Sequence, residues 1–172
     1  AQDRVYVGSG IPDFSGGITL KFEYKNFSLS AFGNFVTGNK IYVADLEFNR
    51  NSAAGGFNKS REVLNYWTQP GDVAFAPALS SSTFATWDNE STLHLIDGDY
   101  FRLKNVTLAY NFPRALLSQT GFLTAARVYV QGQNLLTFSD TLDVGIDPES
   151  SNGGTGANNA QGETFFTSPQ AR

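Results

Sequence analysis

From Asn105 to Phe112 the chain alternates without a break, with Val106, Leu108, Tyr110 and Phe112 on one side of an extended backbone and Asn105, Thr107, Ala109 and Asn111 on the other. A period of two means a β-strand with one apolar and one small polar face, and Pro113, which lacks a backbone N–H, ends it. An apolar face that closes on aromatic residues suits a strand with lipid on one side and water on the other, as in a transmembrane β-barrel.

The overall composition does not suggest a membrane. Of the 172 residues 41% are hydrophobic, enough for a soluble core, and no stretch approaches the roughly 18 consecutive apolar residues of a transmembrane helix. Alternation halves the hydrophobicity of each strand, so a β-barrel remains compatible with these values. The 12 basic and 16 acidic residues leave a net charge of −4 with no basic cluster, which gives nucleic-acid binding no electrostatic support. Cysteine is absent, removing disulfides, thiolate metal sites and cysteine nucleophiles together.

Three further segments carry the same period. Gly17 to Lys25 sets Ile18, Leu20, Phe22 and Tyr24 against Thr19, Lys21 and Glu23; after a tight turn at Lys25-Asn26, the next run sets Phe27, Leu29, Ala31, Gly33 and Phe35 against Ser28, Ser30, Phe32 and Asn34. The last sets Phe122, Ala126, Val128, Val130, Leu136 and Phe138 against Arg127, Tyr129, Gln131 and Gln133. Strands are predicted at about 16–25, 27–38, 100–112 and 122–138, with a short helical segment at Arg114 to Ser118 closing on Gly121. Residues 39–98 and 139–172 lack periodicity. Tight turns at one end of the strands and long loops at the other are the layout of outer-membrane barrels, with periplasmic turns and extracellular loops. The loops of a β-sandwich would be more even in length.

Arg102 and Lys104 share parity with the apolar residues of their strand. Either they lie above the hydrocarbon and snorkel toward lipid head groups, or a bulge near Asn105 reverses the facing.

Four segments, taken in order, are distinctive: Val7-Gly8 through Pro12 to Gly16-Gly17-Ile18; Gly38-Asn39-Lys40-Ile41-Tyr42; Tyr100-Phe101-Arg102-Leu103-Lys104-Asn105 through Pro113; and Ala126 through Phe138 with the later Gly145-Ile146-Asp147-Pro148-Glu149. Together they resemble the C-terminal portion of the SusC/RagA family of TonB-dependent outer-membrane transporters. The resemblance implies an all-β, antiparallel transmembrane barrel fragment: residues 1–172 would supply about four C-terminal strands of a 22-stranded plugged barrel, with extracellular loops at about 39–98 and 139–172. The plug domain and the final strand would lie outside this chain.

The same resemblance implies a multi-pass barrel in the Gram-negative outer membrane that imports glycans or peptides. TonB, with ExbB and ExbD, would energise it and a SusD-like surface lipoprotein would close over its mouth. Expected partners are the remainder of the barrel and plug, outer-membrane lipid and the oligosaccharide or peptide cargo. Four strands alone would leave two unpaired edges in hydrocarbon, so the rest of the barrel must come from elsewhere.

Within the longer loop, Tyr66, Trp67, Trp87, Asp88 and Asn89 combine aromatic faces with amide and carboxylate groups, the usual parts of a glycan or peptide site; the aromatics would serve equally as packing beneath a folded loop. Arg127, Tyr129, Gln131 and Gln133 are expected to face the lumen, toward plug or substrate. Asp140, Asp143, Asp147 and Glu149 form an acidic group without the spacing of an EF-hand, so a solvated loop is expected rather than a metal site. His94, the single histidine, reads as an ordinary loop residue. No phosphate loop, dinucleotide fingerprint or catalytic constellation is recognisable, so neither enzyme activity nor a cofactor is expected. A passive porin, an adhesion barrel and a soluble β-sandwich module are the alternatives.

Overall fold

A computed structural model describes residues 5–51, 58–78, 91–150 and 162–164. In chain order its elements are β1 (Phe14–Tyr24), β2 (Phe27–Thr37), β3 (Lys40–Val43), helix α1 (Ala44–Arg50), β4 (Leu95–Asp97), β5 (Tyr100–Asn111), the helical turn α2 (Arg114–Leu117), β6 (Arg127–Phe138) and β7 (Glu163–Thr164). Single 3-10 turns lie at Arg61–Leu64, Thr92–His94, Ser118–Thr120 and Asp140–Val144.

The four long strands form one antiparallel sheet in the order β1-β2-β5-β6. Register aligns their periods: Phe22, Leu29, Leu108 and Val130 share one row, and Lys21, Ser30, Thr107 and Gln131 share the next. One face is therefore apolar from edge to edge and the other polar. The apolar face is uncovered, with Leu20 67% and Val130 72% exposed. A soluble sandwich would bury such a face against a second sheet. Among the described residues no helix is long and apolar enough to cross a membrane, which leaves crossing by strands open.

Strands of 11 or 12 residues extend about 36–40 Å, or about 25–28 Å when tilted by about 45°, matching the apolar band of a membrane barrel. Aromatic rows bound the apolar face at both ends. Beside the Lys25-Asn26 turn, the Phe27 and Tyr110 rings lie 4.7 Å apart and Tyr110 meets Phe112 edge-on at 5.1 Å. At the opposite end Phe35, Phe101 and Phe138 share a row. Phe35 lies over Gly16 and Phe101 over Gly33, each so close that an added Cβ would sit about 3 Å from the ring. Glycine there lets the rings lie flat against the sheet.

The facing of Arg102 is decided by a bulge. Phe32 pairs with Asn105 but Gly33 pairs with Leu103, so Lys104 is an extra residue on β5. Below it Asn105, Thr107 and Ala109 are on the polar face; above it the parity is reversed and Arg102 joins them. The snorkelling expectation is thereby corrected, since Arg102 is only 4% exposed. Strand β6 absorbs the irregularity with two residues opposite one, Asn134 taking a φ of 49°. It also begins at Arg127, later than the expected 122, because α2, the 3-10 turn and Gly121 (φ 74°) carry the chain across first.

Residues 39–98 are not one irregular loop. At the end of the sheet away from the Lys25-Asn26 turn, β3 pairs antiparallel with β4 and parallel with β7. Alternation missed these strands because they are two to four residues long. Ile41, Val43 and Ile146 form their core, with Leu46, Ile96 and Val144 packed against it. This small loop body thus recruits residues from the segment following β6.

Arginine at Val130 is expected to cost roughly 2–4 kcal/mol at mid-membrane and to deplete the folded, heat-modifiable band of the intact protein in outer-membrane extracts. Arginine at Gln131 should leave that band near wild type. Equal depletion by both would contradict this assignment of faces.

Candidate functional site

Among the described residues, the densest polar constellation joins the sheet to the loop body. Arg102 donates to Asp147 Oδ1 at 2.7 Å, to Glu149 Oε2 at 2.5 Å and to Thr137 Oγ1 at 3.0 Å. Lys104 donates to Glu149 at 2.6 Å, Asn34 donates to the other Glu149 oxygen at 2.9 Å, and the Tyr100 hydroxyl reaches that oxygen at 3.2 Å. Asn34 belongs to β2 and Tyr100, Arg102 and Lys104 to β5, so two strands bind two carboxylates of one loop, while Thr137 on β6 holds the Arg102 guanidinium from the side. Asp147 also accepts from the Glu149 backbone N–H at 2.9 Å, which folds the Asp147-Pro148-Glu149 turn so that both carboxylates point the same way.

Burial decides how much this cluster matters. The side chains of Arg102 and Asp147 are 5% and 12% exposed, whereas those of the loop-body pair Lys40 and Asp97 are 36% and 51% exposed. An exposed pair contributes about 0–1 kcal/mol, while removing one member of a buried pair costs about 3–5 kcal/mol because the other charge is stranded. Burial raises the Glu149 carboxyl, but hydrogen bonds from Lys104 and Asn34 and the charges of Arg102 and Lys104 outweigh it and hold the group below its ordinary range. Asp147 and Glu149 are thus engaged in ion pairs, which corrects the expectation of a solvated acidic loop. Among the described residues no group of His, Cys, Asp and Glu is arranged to hold a metal ion.

Arg127, Tyr129, Gln131 and Gln133 lie along the polar face of β6, opposite Asn111, Ala109, Thr107 and Asn105. Tyr66 and Trp67 are half-exposed in a doubled-back segment: Trp67 N–H donates to Ala76 O at 2.9 Å and Ala76 N–H to Asn65 O at 3.0 Å. Asp72 closes its tip, accepting from the backbone of Thr68 and Gln69 at 3.0 Å each. Arg50 ties this segment to the body through Glu62 at 2.7 Å and the Phe75 ring at 5.5 Å. Trp87, Asp88 and Asn89 lie outside the described residues.

His94 departs from its expected role. It is 1% exposed, edge-on to Tyr42 at 6.1 Å, and its Nδ1 has no hydrogen-bond partner. Desolvation by burial and the Arg50 charge hold its imidazole below the ordinary value against an opposing effect of Glu47.

The Arg102 cluster escaped the sequence reading although a signal for it exists. Two cations on an otherwise neutral strand need partners, and two carboxylates flanking Pro148 follow the adjacent strand.

No family model matches the chain. Relatives do. TonB-dependent receptor P3 of Formosa agariphila is 34% identical over 149 residues, covering 86% of this chain and 14% of that protein. TonB-dependent receptor P26 of the same organism is 34% identical over 176 residues, covering 99% and 17%. TonB-dependent receptor SusC of Bacteroides thetaiotaomicron is 28% identical over 137 residues, covering 80% and 13%. Among solved structures, the RagAB peptide importer in its closed-closed state superposes with a TM-score of 0.63 at 30% identity, over 77% of this chain and 14% of the matched one. Its open-open state gives 0.61 at 29%, over 75% and 14%.

A two-faced antiparallel sheet bounded by aromatic rows, with an uncovered apolar side, is a piece of outer-membrane β-barrel wall. The chain belongs to the SusC/RagA family of TonB-dependent receptors, and it spans 14–17% of the length of the first two relatives above.

Because the histidine is held below its ordinary value, its contribution to folding is present above about pH 6.5 and is lost as pH falls through the lower folded value. Backbone amides of β3, α1 and β4 in the intact protein are therefore expected to lose hydrogen-exchange protection, corrected for intrinsic rates, as the pH is lowered from neutral to below the ordinary histidine value of 6.5. A His94→Leu variant should lack this response. An unchanged response in that variant would show that another group titrates.

Proposed function

We propose that this chain forms part of the wall and outer loops of a transporter that takes up oligosaccharides or peptides across the outer membrane. TonB with ExbB and ExbD drives it, and a SusD-like lipoprotein works at its mouth. The observation that carries the reading is the pairing of a lipid-compatible outer face with a polar face onto which an outer loop is tied by buried ion pairs. The names of the relatives support the energy coupling, and the RagAB importer, whose cargo is peptide, supports the substrate class. In this reading Arg127, Tyr129, Gln131 and Gln133 face the lumen and the plug. Tyr66 and Trp67, with Trp87, Asp88 and Asn89, are the candidate cargo contacts, their rings offering rigid apolar surface to a sugar face or a peptide side chain.

Uptake of labelled peptides and oligosaccharides is the direct test, measured in cells carrying the intact gene and compared with cells lacking it and with cells lacking TonB. Saturable uptake of one cargo class that disappears without TonB is expected; uptake that persists would mean a passive porin. Tyr66→Ala with Trp67→Ala should raise the half-saturating concentration about tenfold, corresponding to about 1.4 kcal/mol, with unchanged amounts of folded protein. An unchanged half-saturation would assign the two rings to packing.

A further inference from the structure

We propose that the Arg102 cluster is a clip that docks the loop body on the barrel wall, so that breaking it releases the body as a unit while the wall strands stay paired. Three observations converge on this. First, the segment from Ser139 to Ser150 is a strap with two different ends of attachment: Val144 and Ile146 pack into the core formed with Ile41, Val43, Leu46 and Ile96, and Asp147 and Glu149 bind Arg102 and Lys104 on the wall. Movement of one attachment must be transmitted to the other, since the core residue Ile146 is followed directly by Asp147.

Second, among the described residues the other connections between body and wall run through short chain segments at one end of the strands: the two-chain stem between Thr37 and Lys40 and between Asp97 and Tyr100, held by the Gly38 N–H on Asp99 Oδ1 at 2.7 Å and the Gly98 N–H on Asn39 O at 2.8 Å, and the segment leading into β1, whose Ser9 O accepts from the Lys40 N–H at 2.8 Å. Third, the wall is modified to make the clip. Without the extra residue Lys104, Arg102 would fall on the apolar face; the bulge turns it to the polar side, where the strap lies. A bulge conserves none of the regular pairing at its position, so its presence where the strap's carboxylates arrive ties the two features together.

The clip differs from a general stabilising contact in what it predicts. Loss of the charges should change the position of the body, not the pairing of β2, β5 and β6, because those strands are held by their own backbone hydrogen bonds along 10 paired positions between β5 and each neighbour. This reading concerns movement and stands apart from the identity of any cargo.

The test uses the intact protein in detergent with spin labels at introduced cysteines; this chain contributes no native cysteine. One pair, Leu20→Cys with Asp143→Cys, reads wall to strap, and a second, Leu20→Cys with Leu64→Cys, reads wall to body. In the parent background both distance distributions should be narrow. The near-isosteric change Asp147→Asn with Glu149→Gln should broaden and lengthen both, while the folded barrel still migrates in its heat-modifiable position. Should that variant fail to assemble, Arg102→Met with Asp147→Leu and Glu149→Met removes the most deeply buried charges and leaves the Lys104 ammonium, whose side chain is 32% exposed, to water, and the same broadening is expected. Distributions unchanged in whichever variant assembles would overturn the proposal. So would broadening of the strap distance with an unchanged body distance, which would reduce the clip to an anchor for the strap alone.

Discussion

The inserted residue at Lys104 is the constraint from which the upper half of this structure follows. A β-strand has a period of two, so one additional residue exchanges the two faces of everything beyond it. Below the bulge the sheet is a regular two-faced wall. Above it, the same strand turns a guanidinium toward the polar side, where it requires counter-charges, and Asp147 and Glu149 supply them from a loop that also packs Ile146 and Val144 into the loop body. The cost of burying an unpaired charge is large enough that the partner loop must fold inward.

This arrangement links two bodies of different character. The wall is held by long ladders of backbone hydrogen bonds and needs lipid on its apolar side. The loop body has a small core centred on Ile41, Val43 and Ile146 and short strands that would be marginal alone. The strap gives that core one of its residues and the wall its counter-charges. An element fixed to the wall by charges is held firmly yet attached at few points.

Much of the wall was legible in the residues. Ile18, Leu20, Phe22 and Tyr24, and again Val106, Leu108, Tyr110 and Phe112, announce strands with a single apolar face because burial on one side and water on the other imposes the period directly. The Lys25-Asn26 turn and the helical segment after Pro113 were equally local. β3 and β4 were not legible: runs of three or four residues carry too few alternations to distinguish a strand from a loop. Of the candidate site, Tyr66 and Trp67 were recognisable as residue types, but the backbone bonds from Trp67 to Ala76 that present them depend on a segment doubling back. His94 looked like a loop residue because its burial comes from partners around Tyr42 and Arg50 that are distant in sequence.

By itself the sequence determined the class of the chain: strand period, aromatic margins and characteristic segments all reflect the solvent on either side of each strand, and that preference is local. Tertiary structure alone decided where the charges go. Whether Arg102 faces lipid or the polar side depends on a register shift against β2, and its partners lie 45 and 47 residues away at Asp147 and Glu149. Pairing across such separations is settled by the desolvation of opposite charges brought together, a quantity that exists only once the strands are in register.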